Sequence, residues 1–116
     1  MRYLLLSMIV LLLAACAQSN ELYYYGNSSQ SYYRAVKYGD DNSRLDYKNS
    51  LNKVFEKSAA RGLKVPPGLY CDYAMLLLKE GQLAEAKVYM DKEKAAWPES
   101  GPMVDLLLQR YFQPGK

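Results

Sequence analysis

Histidine is absent from the 116 residues. That excludes imidazole metal ligands, Ser-His-Asp and Cys-His catalysis, and the usual general base near neutral pH. Cysteine is scarce. Two residues supply neither a four-ligand zinc site nor a dense disulfide framework. No charge sign dominates. Fifteen Lys and Arg against 12 Asp and Glu leave a net charge of +3, short of the concentrated basic face of a nucleic-acid protein, so no nucleic-acid partner is expected. No Gly-rich phosphate loop, nucleophile elbow or metal motif is present, so neither an enzyme activity nor a cofactor is expected. The abundant residue is tyrosine, with 12 of the 15 aromatic residues.

The chain opens with Arg2 and an apolar stretch from Tyr3 to Ala15. That stretch is shorter than the roughly 18–20 residues of a membrane-spanning helix. A basic start, a short apolar run and small residues at its end describe a secretory signal peptide over residues 1–15. Leu13-Ala14-Ala15-Cys16 resembles the lipobox of bacterial lipoproteins. The resemblance implies that the Cys16 thiol carries diacylglycerol, that the peptide bond before it is cut, and that the new amino terminus is acylated. Several acyl chains anchor firmly where one chain alone binds marginally. No Asp follows Cys16, which in such lipoproteins implies the outer membrane. The expected address is therefore the periplasmic face of the outer membrane, held through acyl chains.

Residues 16–30 then read as the lipidated start and a polar tether. Yet Tyr23, Tyr24 and Tyr25 stand before the turn pair Gly26-Asn27, and Tyr32, Tyr33 and Tyr38 follow closely. Tyrosine favours half-buried surfaces and interfaces. Three readings stay open for these rings: cover for the edge of a helical core, a docking strip for a partner, or a disordered segment. Tyr23, Tyr24, Tyr25, Tyr32 and Tyr33 are the candidate partner-binding residues.

From residue 31 to 112 the pattern is helical, and residues 113–116 read as a tail. A short helix over 31–38 is expected to place Tyr32, Tyr33 and Val36 on one side and to end at Gly39. The cluster Asp40-Asp41-Asn42-Ser43 predicts a helix start, with Leu51, Val54, Phe55 and Ala59 as its apolar face. Gly62 ends that helix, and Val65-Pro66-Pro67-Gly68 is a stiff connector. The next helix, about 67–80, has an inward stripe of Tyr70, Tyr73, Ala74 and Leu77. A further helix over 82–97 carries Leu83, Ala86, Met90 and Trp97. Pro98 and Pro102 bracket a break before the last helix, whose apolar residues are Met103, Val104, Leu107, Leu108 and Tyr111. The fold class is all-α.

Tyr70, Tyr73, Ala74, Leu77, Ala86, Met90 and Pro98 occupy the positions of the tetratricopeptide repeat, a 34-residue helix pair. The stripe returns one repeat later as Val104, Leu107-Leu108 and Tyr111. The resemblance implies tetratricopeptide-like antiparallel hairpins, about four to five helices in all. Glu93 departs from the pattern by standing where the repeat carries a small apolar residue. Taken with Tyr25-Gly26-Asn27, Val65-Pro66-Pro67-Gly68, Gly81, Glu93-Lys94 and Trp97-Pro98-Glu99-Ser100, the chain resembles an uncharacterised family of small bacterial outer-membrane lipoproteins with such a domain. Members of that family are often encoded beside a lipoprotein similar to the curli secretion channel. The resemblance implies an accessory of an envelope complex, with no assigned chemistry.

Once Cys16 is a thioether, Cys71 is the remaining thiol, and it reads as a small buried hydrophobe at the edge of the inward stripe. Glu85, Asp91, Glu93 and Glu99 make no credible acid–base pair and read as solvated surface. Lys87, Lys92 and Lys94 beside them read as a salt-bridged face. The expected function is a lipid-anchored interaction or scaffold module whose partner is another envelope lipoprotein or a secretion-channel protein. The alternative is a regulator of a cell-wall synthase or a peptidoglycan-binding lipoprotein.

Overall fold

The computed structural model describes residues 1–15, 20–113 and 115. Helix α1 spans Arg2–Ala15, α2 Ser28–Tyr38, α3 Asp41–Ala60, α4 Leu69–Lys79, α5 Leu83–Ala96 and α6 Gly101–Phe112. A single 3₁₀ turn at Pro98–Ser100 joins α5 to α6. The chain is all-α, and no strand occurs among the described residues. No helix among them is long and apolar enough to cross a membrane.

Two helix hairpins form the body. Helices α2 and α3 pair across Gly39 and Asp40, and α4 and α5 pair across Glu80–Gln82. Helix α3 leans on α4, and α6 packs on α5. The first hairpin turns so tightly because Gly39 sits at φ 65°, in the left-handed region that an L side chain resists. The Ser43 N–H then donates to Asp40 Oδ1 at 2.8 Å, capping α3. This hydrogen bond holds the Asp40 carboxyl below its usual value.

The core is a compact set: Tyr47 and Leu51 from α3, Cys71, Tyr73, Ala74 and Leu77 from α4, Ala86 and Met90 from α5, and Val104 from α6. Beside it Phe55 stacks on Tyr70 at 4.9 Å and on Tyr89 at 5.7 Å, while Tyr73 meets Tyr89 at 4.4 Å. Aromatic pairs in these geometries add to the burial of their area. The expected stripe of α4 is therefore the one that packs.

The first hairpin settles what the sequence left open in α2 and corrects one residue of α3. Helix α2 turns Ser28, Ser31 and Ala35 inward and leaves Tyr32, Tyr33 and Val36 exposed. Ser31 and Ser50 face one seam, where their hydroxyls bond to the Asn27 and Tyr47 carbonyls. Small side chains let α2 and α3 approach closely, and those hydroxyls are satisfied locally. On α3, Ser58 is fully buried, whereas Ala59 is exposed. The helix therefore rolls its buried stripe onto Tyr47, Leu51, Val54 and Ser58, at i, i+4, i+7 and i+11.

Glu93 corrects a second expectation. It is fully buried, not solvated. Its Oε1 accepts the Gly68 N–H at 2.8 Å and the Ser100 hydroxyl at 3.3 Å. A carboxylate where a small apolar side chain was expected thus ties α5 to the starts of α4 and α6. Neighbouring charges on α5 do face solvent: Lys87 pairs with Asp91 and Lys94 with Asp105, both at 2.7 Å.

Candidate interaction surface

The segment ahead of α2 lies against the helical body. Tyr23 meets Trp97 edge-on at 6.0 Å, and Arg61 pairs with Glu21 at 2.9 Å while covering the Tyr24 ring at 4.9 Å. Trp97 is itself held, its indole N–H donating to the Val65 carbonyl at 3.0 Å. From Glu21 onward the expected tether is thus a strap. Cys16, the expected lipid attachment point, lies outside the described residues.

The five candidate tyrosines do not form one strip. Tyr23 and Tyr24 are half-buried in the strap. Tyr33 stands apart on the outer side of α2, with the Lys37 ammonium 5.7 Å from its ring. Tyr25, whose ring meets Tyr23 edge-on at 6.1 Å, and Tyr32 turn to another place. They rim a groove that runs between α2 and α4, with α3 as its floor.

Two adjoining clefts make up this groove. The larger, about 310 Å³, is bounded by Tyr32, Ala35 and Val36 on one side and Met75, Leu76 and Lys79 on the other. The smaller, about 170 Å³, opens toward Tyr25, Ser28 and Leu69. Tyr32, Tyr47 and Asp72 belong to both. At this junction the Tyr47 hydroxyl donates to Asp72 Oδ2 at 2.5 Å. The Tyr32 ring meets the Tyr47 ring edge-on at 5.4 Å.

The electrostatics of the junction follow from burial. Desolvation pushes the Asp72 carboxyl above the ordinary carboxylate value, and the Tyr47 hydrogen bond offsets part of that. The Tyr47 hydroxyl is pushed up by its own burial, and then by the hydrogen bond to Asp72 and its charge. No Lys or Arg forms an ion pair with Asp72 among the described residues. Arg44, which lines the larger cleft, turns instead to the Gly39 carbonyl and Asp41.

Tyr47 and Asp72 were not among the sequence candidates. A signal for Asp72 existed. It is the lone charge in the otherwise apolar stretch from Leu69 to Leu78, and a carboxylate on an inward face needs a reason. Tyr47 carried no comparable signal, because its neighbours on α3 are polar. Cys71 is buried as expected, and burial, followed by the charges of Glu93 and Asp72, pushes its thiol up to about 11. No group of three or more potential metal ligands gathers among the described residues.

The groove can hold a side chain or a short chain segment, offering apolar side chains, tyrosine rings and one acid without an ion-pair partner. No curated protein and no solved structure matches the chain. Residues 22–107, which run from the strap through all of α2–α5 and into α6, match one family over most of the chain, and the protein accordingly belongs to the domain of unknown function DUF4810.

Proposed function

We propose that the protein is a lipid-anchored, periplasm-facing interaction module of the outer membrane, serving as an accessory of an envelope lipoprotein or secretion-channel complex. Its mechanism is binding and not catalysis. Support for the anchor is the leader ending in Leu13-Ala14-Ala15-Cys16. A tetratricopeptide-like module is supported by the two stacked hairpins and by the recurrence of the α4 stripe in α6.

The observation that carries the binding role is the open groove between α2 and α4. In a tetratricopeptide-like reading these are the first helices of successive pairs, and they line the concave side of the stack. The anchor confines the groove to the membrane neighbourhood and raises its effective concentration for other anchored proteins.

The test is recovery of the native lipoprotein from gently solubilised membranes. A companion at constant stoichiometry is expected, and it is lost from Tyr32→Ala. A clean monomer overturns the scaffold role. Intact mass of the mature protein tests the anchor: residue 16 bearing lipid at the new amino terminus is the expected result, and an uncut, unmodified leader removes the address.

A further inference from the structure

We propose that the junction of the two clefts receives one cationic side chain, lysine or arginine, from a partner protein, with Asp72 as counter-ion and Tyr25 and Tyr32 as the aromatic wall. The inference rests on the interaction-module reading and adds the chemistry of the docked segment.

Three observations converge on it. First, Asp72 is left without a cation. The five ion pairs among the described residues engage Asp41, Glu80, Glu21, Asp91 and Asp105 instead. Its hydrogen bond comes from a neutral hydroxyl, that of Tyr47. Asp72 is half-buried at the cleft, its partial burial disfavours the charged carboxylate, and an incoming cation offsets part of that cost.

Second, the wall suits a cation. The faces of tyrosine rings attract ammonium and guanidinium groups within about 6 Å. Tyr32 is braced edge-on against Tyr47, and Tyr25 borders the adjoining cleft. Elsewhere in this protein such contacts are already satisfied internally, as Arg61 does over Tyr24 and Lys64 over Trp97. Third, the approach is largely apolar, although Lys79 and Arg44 also line the larger cleft, Arg44 being already engaged by the Gly39 carbonyl and Asp41. Met75 and Leu76 line the path to Asp72, which matches the methylene stem of a lysine or arginine and the apolar neighbour that a protein segment brings with it. That lining favours a peptide over a glycan, which would meet Met75 and Leu76 with hydroxyls.

The experiment uses the full chain in detergent and two peptides blocked at both ends. One carries a single lysine between leucines, and the other carries norleucine in its place. Binding is followed by amide chemical shifts. The lysine peptide is expected to bind at least tenfold more tightly than the norleucine peptide, with shifts around Tyr32 and Asp72. Asp72→Asn is expected to abolish that preference, and Tyr32→Ala to weaken it. Equal binding of the two peptides to the unaltered protein overturns the inference without any variant having to fold. Unchanged preference in Asp72→Asn overturns it as well. If purified peptidoglycan stem peptides with a free side-chain amine bind at Asp72 while the lysine peptide does not, a protein partner is excluded. The parent reading separates cleanly: a native companion that stays with Asp72→Asn keeps the interaction module and rejects the cationic docking, whereas no companion at all rejects the module.

Discussion

Glu93 reaches from the last turn of α5 to the amide of Gly68, with 2.8 Å between Oε1 and the nitrogen that opens α4. The same oxygen accepts from Ser100 just before α6. One carboxylate thus satisfies donors at two helix starts, where the helix dipole favours negative charge.

Glu93→Ala leaves the Gly68 N–H without this acceptor and opens space in the core. A loss of about 1–3 kcal/mol is expected from the orphaned donor. Glu93→Gln keeps an acceptor oxygen, and its amide replaces the buried Oε2, which has no partner. It is expected to remain within about 1 kcal/mol of the parent, in line with the modest net value of one hydrogen bond. Urea unfolding of the two variants checks the order, and equal losses would refute the clamp.

Asp72 contributes the opposite sign. Its carboxyl has a raised pKa in the folded protein, so folding favours the protonated form. The associated stability is fully present below the unfolded value of 3.8 and fades as pH rises through the folded pKa. Asp72→Asn lacks this dependence and retains an oxygen for the Tyr47 hydroxyl. Its melting temperature relative to the parent is expected to climb as pH increases from about 3.8 and then level off. A flat difference across that range contradicts the burial of Asp72.

Cys71 is buried, and its thiol is pushed up to about 11. Thiolate is the reactive form, so a maleimide reagent at pH 8 is expected to label the folded chain slowly. Denaturant restores fast labelling. Rapid reaction without denaturant contradicts the packing of α4.

Ser58 is fully buried, and its hydroxyl has no hydrogen-bond partner. Ser58→Ala removes that unsatisfied group and is expected to stabilise by about 1 kcal/mol. Ala59, next to it, faces solvent, and Ala59→Ser is expected to stay within about 0.5 kcal/mol. A thermal melt of each distinguishes the inward residue from the outward one.

The second hairpin was largely readable from its residues because large apolar side chains at helical spacing pack together, with Leu83 at the open start of α5 the exception. Tyr73, Ala74, Leu77, Ala86 and Met90 are all buried as their spacing indicates. In the first hairpin that rule did not decide. Helix α2 offers tyrosines and serines, and the sequence left open whether its rings cover the core edge, dock a partner or stay disordered. Close approach to α3 decided it, since Ser28 and Ser31 fit the seam and Tyr32 and Tyr33 stay exposed. Glu93 misled for a related reason: its charge signalled solvent, while its actual neighbours are donors at the starts of α4 and α6.

Periodicity, glycine turns and the Asp40 cap determine by themselves an all-α chain with breaks at the observed places, because those signals act within a few residues. The groove was decided only in three dimensions. Tyr47 and Asp72 lie on different helices, and Tyr25 joins them from the strap. Nothing local brings these side chains together. Their meeting depends on how α2, α3 and α4 pack, and that packing decides which acid is left to face an open cleft.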